Sequence, residues 1–461
     1  MAGSAGSAGA TELSAIVAEY DPSFTQEFLC LFGGGAGAGS FGPRHHGVRG
    51  WRVRGVPDLK ALDKALLLVV QRHEALRTQL DHQARPPVCR IFQPSPAELL
   101  VVDICEPDPA NRDQRAEQFL NDLEVAELSV QQLPHLRLVL GQLDAEDWVL
   151  AVMAHHAAID GWSIEQLFRE LSESYASYLV GGQPRLEDVL PYRRYAAWQR
   201  RQLTGAVIDE ACDYWGRKLA GAAMRGLPND RERDPVADRV SAAYRFVIDT
   251  DLSAAVHRYA RATRTSALTV SLTVQNLLLS RRTGSTDVVL PAITNSSGHP
   301  DYESTVGPFF NFVPLRTELS GCVTFADLLA ATRQTRLQAH TFEMPFAFVL
   351  REVPQLLAAF ADPTHSVCAF QTFQFARTSS SIMGNLAVSA IRHRVLSQPV
   401  GSDVPDGTLW TMELDPSAGM YGSLRYNSKE FDESSMAELA AEYSELLRQL
   451  VSTPDAAIPL P

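Results

Sequence analysis

The segment between residues 136 and 178 restricts the fold more than any other part of this sequence. Two apolar runs, residues 136–143 and 147–153, are separated by a polar link of only three residues. Strand-length runs joined by so short a link predict a β-hairpin. Beyond it, apolar side chains recur at helical spacing, at Ile164, Leu167, Phe168, Leu171, Tyr175 and Tyr178. The segment therefore predicts two buried strands followed directly by a buried helix.

Similar strand and helix patterns occur along the whole sequence. In the first half they predict a helix over residues 58–77 and strands at 47–56, 88–92 and 99–104, and residues 12–32 are compatible with a short helix. In the second half they predict helices over 252–263, 266–281 and 433–450 and strands at 244–248, 288–293, 310–315, 368–375, 410–414 and 422–427. Strands and helices mixed in both halves predict an α/β (α+β) fold.

The length of 461 residues predicts two domains, because one hydrophobic core rarely serves more than about 250–300 residues. The strongest punctuation is Gly-Gly-Gln-Pro at residues 181–184. We place the domains at 1–182, with 1–10 as a flexible tail, and at 183–461, beginning with a linking helix over 192–201. The glycine-rich residues 33–40 predict a mobile loop.

The formal net charge of -13 disfavours binding to nucleic acid or to anionic lipid. The six cysteines are scattered and predict neither a disulfide framework nor a zinc site. The sequence contains no run of eighteen apolar residues, so no transmembrane helix is predicted. The N-terminus does not resemble a secretory signal. A cytoplasmic location is the expectation.

The sequence His-His-Ala-Ala-Ile-Asp-Gly, residues 155–161, lies between the hairpin and the helix. Neighbouring side chains of a strand point to opposite faces, so one of His155 and His156 should face the interior and the other a cavity. A neutral imidazole can take a proton from an amine or a hydroxyl. Asp160 is suited to hold the loop or to fix a tautomer, and Gly161 permits a sharp turn or a close approach by substrate.

Other interpretations of these residues remain open. A histidine in an apolar setting is more often a core residue than a catalyst. No metal site is predicted, because adjacent histidines diverge and no third ligand is nearby. A capping box, Ser163 with Gln166, would begin the helix.

Further residues have two interpretations each. Trp162 lines a tunnel or anchors the core. Asn311 lines the same tunnel or caps a turn. His45 and His46 are expected to be exposed to solvent, and the arginine-rich helix over 192–201 is a carrier-protein docking face or simply a solvated surface.

Residues 153–163 resemble the signature of condensation domains of nonribosomal peptide synthetases, which belong to a chloramphenicol acetyltransferase-like superfamily. Several further segments match the family in the right order. They are residues 72–78, 192–198, 213–221, 306–316 and 424–432. The resemblance covers about residues 44–450, which is nearly the whole sequence.

The resemblance implies two chloramphenicol acetyltransferase-like sandwich subdomains arranged as a V, with an active-site tunnel between them. His156 would position or deprotonate the nucleophile, and His155 and Asp160 would be mainly architectural. The backbone N–H of Gly161 would face the reacting thioester. The chain would bind no cofactor of its own, since phosphopantetheine arrives on a partner peptidyl carrier protein.

The sequence also departs from the family. The family commonly has a Gly-Arg pair whose arginine binds the motif aspartate, and Ser296-Ser297 stand there instead. Asp160 therefore needs another partner. The first N-terminal motif of the family is not recognisable between residues 13 and 49.

Neither an adenylation domain nor a carrier-protein attachment motif is found, and if this sequence is the whole protein the enzyme is expected to act in trans. Free-standing relatives of this kind resemble tailoring enzymes of antibiotic pathways, including enediyne assembly, and the acceptor is an amine or an alcohol. An acyl-CoA-dependent acyltransferase and a non-catalytic docking module are the alternatives. The late Asp-Phe-Gly-Trp-Gly motif of many acyl-CoA-dependent relatives is not found, and the histidine motif that docking modules usually lose is intact.

Overall fold

The structure is a computed structural model that describes residues 15–33, 39–234, 239–295, 299–374, 381–404, 407–415, 419–458 and 460–461. The strands are β1 (Ile16–Tyr20), β2 (His46–Arg54), β3 (Thr78–Asp81), β4 (Val88–Phe92), β5 (Glu98–Asp103), β6 (Leu136–Gln142), β7 (Asp147–His155), β8 (Leu227–Pro228), β9 (Ser241–Ile248), β10 (Asp287–Asn295), β11 (Phe310–Glu318), β12 (His365–Ser366), β13 (Cys368–Phe373), β14 (Ser381–Met383), β15 (Leu386–Ile391), β16 (Thr408–Asp415) and β17 (Gly419–Asn427). The helices are α1 (Phe24–Leu31), α2 (Leu59–Arg72), α3 (Arg112–Val125), α4 (Gly161–Leu179), α5 (Tyr192–Gln202), α6 (Ala206–Lys218), α7 (Thr250–Ala262), α8 (Ala267–Thr283), α9 (Phe325–Thr341), α10 (Phe346–Glu352) and α11 (Glu433–Ser452).

Two six-stranded mixed sheets organise the molecule. The first has the order β14-β15-β2-β7-β6-β5, and the second has the order β11-β10-β13-β16-β17-β9. Helices cover both sheets, so the predicted mixed α/β fold is confirmed. The predicted hairpin is also confirmed, because β6 and β7 pair antiparallel.

The central strand β7 is apolar from residue 148 to residue 154, and helices cover both of its faces. Leu150 and Val152 pack in one core cluster with residues of α2 and α4. Val149 and Ala151 point the other way, into a second cluster with α3. A strand buried on both faces loses the polar alternation of a surface strand, which explains why its sequence reads as one continuous apolar run.

The second half is built around its own core. Helix α8 is almost entirely buried and packs with α11 and with the second sheet. Trp410 of β16 and Tyr443 of α11 are both fully buried, with ring centres 5.0 Å apart. The helix predicted over 192–201 is confirmed as α5, and its Tyr192 and Tyr195 pack against Phe309.

Several predicted elements need correction. Residues 12–32 are not one short helix, because from residue 15 onward they form β1 and then α1. The helix predicted over 58–77 ends at Arg72, and a short 3-10 turn covers Glu74–Arg77. Helices α3 and α9 were not predicted. Residues 1–10 and most of the glycine-rich stretch, residues 34–38, lie outside the described residues.

Strands β14 and β15 belong to the second half of the sequence but to the first sheet. β15 pairs antiparallel with β2 along Ala387–Ile391, and β14 extends the same edge. The first sheet therefore includes segments from both sides of residues 182 and 183, and the domain boundary drawn there stays a prediction. Within the described ranges, no helix combines the length and apolar character needed to cross a membrane.

Candidate active site

A cavity of about 300 Å³ lies between the two sheets. The first half contributes residues of β2 and of the loop between β7 and α4, and the second half contributes side chains of β10, β13, β16 and β17. The lining includes His45, Arg49, Glu124, His156, Asp160, Gly161, Trp162, Arg245, Asn295, Phe373, Arg394, Glu413 and Arg425. The predicted loop between a buried strand and a buried helix thus lies at a junction of the two halves.

His155 is the last residue of β7 and is completely buried. Its Nε2 lies 3.0 Å from the Gly42 carbonyl oxygen, and its Nδ1 accepts a hydrogen bond of 3.0 Å from the Ala157 N–H. Both ring nitrogens are therefore engaged by backbone groups, and the proton is on Nε2. This imidazole holds the loop in place.

His156 points the other way and lines the cavity. Burial, followed by the positive charge of Arg425, lowers its pKa to about 3. A hydrogen bond with the Ile159 backbone has the opposite effect. The imidazole is therefore neutral near pH 7 and can accept a proton. The divergence of His155 and His156 follows from the strand geometry that the sequence indicated.

Asp160 is the N-cap of α4. One of its carboxylate oxygens accepts hydrogen bonds of 2.8 Å from the Ser163 N–H and of 2.8 Å from the Ser163 hydroxyl. The other lies 3.4 Å from Asn295 Nδ2. Burial raises the pKa of Asp160. The capping box predicted to begin at Ser163 is wrong by three residues, because Asp160 provides the cap and Ser163 is already in the helix.

Ser163 connects this loop to the second half. Its Oγ accepts a hydrogen bond of 3.1 Å from the Gly307 N–H and lies 3.0 Å from the Gly307 carbonyl oxygen. Among the described residues, the hydrogen bonds of Asp160 thus come from Ser163 and Asn295 and from backbone groups. Ser296 and Ser297, which stand where the family has Gly-Arg, lie outside the described residues.

Gly161 and Trp162 are the first two residues of α4. The first N–H groups of a helix have no partner within the helix. Asp160 accepts the Ser163 N–H, and the Gly161 N–H is the donor of α4 that we consider beside His156. Trp162 lines the cavity and its surface is 43% exposed. The interpretation of Trp162 as a core anchor is therefore wrong, because the helix N-terminus directs it away from the core.

Asn311 is buried beneath a turn of the second half. Its Nδ2 donates to the Met344 carbonyl at 3.0 Å and to Glu343 Oε1 at 3.2 Å. Its Oδ1 accepts from the Phe346 N–H at 3.0 Å. These contacts match the turn-capping alternative for Asn311.

His45 and His46 are buried, so the expectation that they are exposed to solvent is wrong. The reason is the pairing of β2 with β7, in which His46 lies opposite His155. His46 Nε2 lies 2.8 Å from the Ala126 carbonyl oxygen. His45 lines the cavity, and its ring centre is 5.0 Å from that of His156. The sequence did contain a signal for this arrangement. Extending the predicted strand 47–56 by one residue would have included His46 and placed both histidines next to the motif.

Charged side chains of Glu124, Arg245, Arg394 and Arg425 form another wall of the cavity that His156 lines. The Glu124 carboxylate forms ion pairs with Arg394 at 2.5 Å, Arg245 at 3.1 Å and Arg425 at 3.4 Å. Burial acts to raise the pKa of Glu124, but these three cations together lower it well below its usual range. Nearby, Arg49 binds Glu413 at 2.8 Å. Three arginines for one carboxylate leave this wall positively charged.

The described residues contain no group of three His, Cys, Asp or Glu side chains placed to hold a metal ion. What the cavity does offer is a neutral imidazole, the N-terminus of a helix and a positively charged wall. This set can remove a proton from a nucleophile and stabilise a developing oxyanion.

The comparisons with known proteins agree on one family. A family model described as Condensation domain matches residues 51–459. A linear gramicidin synthase protein from Brevibacillus parabrevis is 29% identical over 415 residues, which are 88% of this chain. The match covers only 5% of that synthase protein, so this chain spans a small part of the length of such relatives.

Solved structures extend the comparison. The SgcC5 protein from Streptomyces globisporus superposes with a TM-score of 0.90 at 38% identity, over 94% of this chain and 99% of that one. The first condensation domain of the CDA synthetase has a TM-score of 0.75 at 17% identity, over 96% of this chain and 98% of that one. At that identity the second match concerns the fold alone.

Proposed function

The chain belongs to the Condensation domain family, and from this premise we propose that it transfers an acyl group from a carrier-protein-bound thioester to an alcohol or amine. The observation that carries the proposal is the position of His156. It is the neutral imidazole of the motif that faces the cavity, whereas both nitrogens of His155 are engaged by backbone. The carrier protein and its phosphopantetheine-linked acyl group are partner and substrate in this scheme.

In this proposal each residue of the site has a separate role in the reaction. His156 takes the proton as the nucleophile attacks the thioester carbonyl carbon. The developing oxyanion lies near the N-terminus of α4, where the Gly161 N–H can donate to it. When the C–S bond breaks, the departing thiolate takes up the proton that His156 removed. Asp160 and His155 keep this loop in its conformation through the hydrogen bonds described above.

An alcohol is the better candidate acceptor, which makes the product an ester. Support comes from SgcC5 of Streptomyces globisporus, whose crystal structure is a complex with (R)-(-)-1-(2-naphthyl)-1,2-ethanediol and sucrose. The naphthyl compound is a vicinal diol on an aromatic group and contains no amine. At 38% identity over almost the whole of both chains, an aryl diol acceptor is our proposal for this protein as well.

The test is a mass-spectrometric assay with acyl-loaded peptidyl carrier protein and matched acceptors. The pair 1-phenyl-1,2-ethanediol and 2-amino-1-phenylethanol has the same carbon skeleton with a hydroxyl or an amine at the terminal carbon. We expect ester formation with the diol. Equal turnover with acyl-CoA and no carrier would contradict the carrier requirement, and no product with any donor would favour the docking-module alternative.

A further inference from the structure

We propose that His45 is a positioning residue of the acceptor site, which holds the non-reacting hydroxyl of a vicinal diol while His156 receives the proton of the reacting hydroxyl. This inference rests on the proposed ester-forming function and adds to it a residue that selects the acceptor. His45 lies outside the 155–161 motif and more than a hundred residues before it in the sequence.

The two imidazoles face the same cavity from neighbouring strand ends. Their ring centres are 5.0 Å apart and their planes are tilted by 43°. The backbones are tied together as well, because the His156 N–H donates to the His45 carbonyl at 3.0 Å. The backbone of one histidine is therefore held directly beside that of the other.

The protonated nitrogen of the His45 ring is already occupied. His45 Nδ1 lies 2.8 Å from the Ser40 carbonyl oxygen, which can only accept, so Nδ1 carries the proton and Nε2 is an acceptor. The His156 ring is neutral, so one of its nitrogens carries the proton and the other is an acceptor. Each imidazole is left with one acceptor nitrogen.

Burial keeps both rings in this state, since it lowers the pKa of His45 and of His156 to about 3. Two acceptors cannot form a hydrogen bond with each other, so a molecule with two donors on neighbouring atoms is the matching ligand. A vicinal diol has this arrangement. One hydroxyl donates to His45 and keeps its proton, and the other donates to His156 and becomes the nucleophile.

The reaction balances with His45 unchanged. The oxygen of the hydroxyl at His156 forms the C–O bond of the ester, and the thioester C–S bond breaks. The proton passes from that hydroxyl through His156 to the released thiol. The hydrogen bond at His45 fixes which of the two hydroxyls reacts, so we expect it to control both the preference for diols and the position of the new ester.

A pair of substitutions separates this role from a merely structural one. The amide N–H of His45→Asn can replace Nδ1 at the Ser40 carbonyl, but this side chain is too short to offer an acceptor at the position of Nε2. His45→Gln is long enough to place its carbonyl oxygen there. The measured quantity is the ratio of kcat/KM for 1-(2-naphthyl)-1,2-ethanediol to that for 2-(2-naphthyl)ethanol, which lacks one hydroxyl.

We expect His45→Asn to lower this ratio about tenfold, because one hydrogen bond to the substrate is lost, and to yield a mixture of the two possible monoesters. His45→Gln should recover most of the ratio. The control is His135→Leu, another buried histidine whose ring lies 6.0 Å from His155 and does not line the cavity; its ratio should equal that of the unmodified protein. An unchanged ratio in His45→Asn, or the same ratio in the Asn and Gln variants, would overturn the proposal.

Binding to the unmodified protein decides the question even if the variants do not fold. Calorimetry without carrier protein should show the naphthyl diol binding about tenfold more tightly than the naphthyl mono-alcohol, and equal affinities would overturn the role of His45. If the diol is preferred but no ester forms with loaded carrier, the proposed function fails and the diol site stands. If ester forms without preference for the diol, the function stands and the role of His45 fails.

Discussion

Gly161 faces the aromatic ring of Phe373 across the cavity, and a Cβ atom on residue 161 would lie 2.6 Å from Cε1 and 2.9 Å from Cζ of that ring. Gly161 begins α4 in the first half, whereas Phe373 ends β13 in the second sheet. The smallest side chain in the sequence thus permits the contact between the two halves beside His156.

Gly161→Ala should slow acyl transfer and lower the free energy of unfolding by about 1–3 kcal/mol, the usual cost of overpacking. Phe373→Leu should relieve the clash, so the double variant should lose less than the two single variants together. Turnover and urea unfolding of the unmodified protein, the two single variants and the double variant give the coupling energy between residues 161 and 373. Purely additive losses would contradict a clash between residues 161 and 373.

His156→Ala should lower turnover by a factor of roughly 10²–10⁴, because it removes the proposed general base. His155→Ala should instead lower the free energy of unfolding by roughly 1–3 kcal/mol, because buried backbone groups lose their partners. Thermal unfolding and single-turnover assays of both variants separate the two roles. An active, stable His156→Ala would remove His156 from the mechanism.

Asp160→Ala should lower the free energy of unfolding by about 0.5–2 kcal/mol, since α4 loses its N-cap. Asn is as good an N-cap as Asp, so Asp160→Asn should keep most of this stability. Comparison of the two variants by urea unfolding shows whether the cap or the charge matters. Equal losses would show that the carboxylate charge itself is required.

Stability should fall as the pH is lowered from neutral. Burial lowers the pKa of His156 and of His45 to about 3, and that of His135 to about 4, from 6.5 in the unfolded chain. Between those values the unfolded chain binds protons that the folded protein does not, so the contribution is complete above about pH 6.5 and declines toward pH 4. Urea unfolding from pH 7.5 to 4.5 measures this dependence of stability on pH.

The pH profile of kcat/KM should show no titration of His156 near pH 6.5. An inflection near pH 6.5 that disappears in His156→Ala would contradict the lowered pKa.

Glu124→Gln should lower the free energy of unfolding by about 3–5 kcal/mol, because Arg245, Arg394 and Arg425 lose their shared buried anion. Glu445→Gln is the matched control. Glu445 is 54% exposed and pairs with Arg448 on the surface, where an ion pair contributes about 0–1 kcal/mol. Equal stabilities of the two variants would show that the arginine wall does not depend on Glu124.

The predicted parts of the fold are those that local patterns determine. The hairpin β6–β7 and helix α4 could be located because a short link and two periodicities lie within one continuous segment. The divergence of His155 and His156 followed from the same strand geometry. Pairing between distant segments leaves no such local trace, which is why β14 and β15 were missed as strands of the first sheet.

The errors at the site have the same origin. His45 and His46 were expected to be exposed to solvent, but the pairing of β2 with β7 buries them against the motif. Trp162 looked like a core residue, but its position at the start of α4 directs it into a space that exists only between the two halves. Asp160 is the cap because the helix begins at Gly161, whereas a cap at Ser163 would have begun it at Ile164.

The pairing of β15 with β2 also has a consequence for synthesis on the ribosome. β2 emerges long before β15, so the growing chain exposes an unpaired strand edge while most of the second half is translated. Such an edge can recruit strands of other chains into aggregates. During synthesis the β2 edge of the first sheet can therefore pair with β15 only after residues 386–391 have been translated.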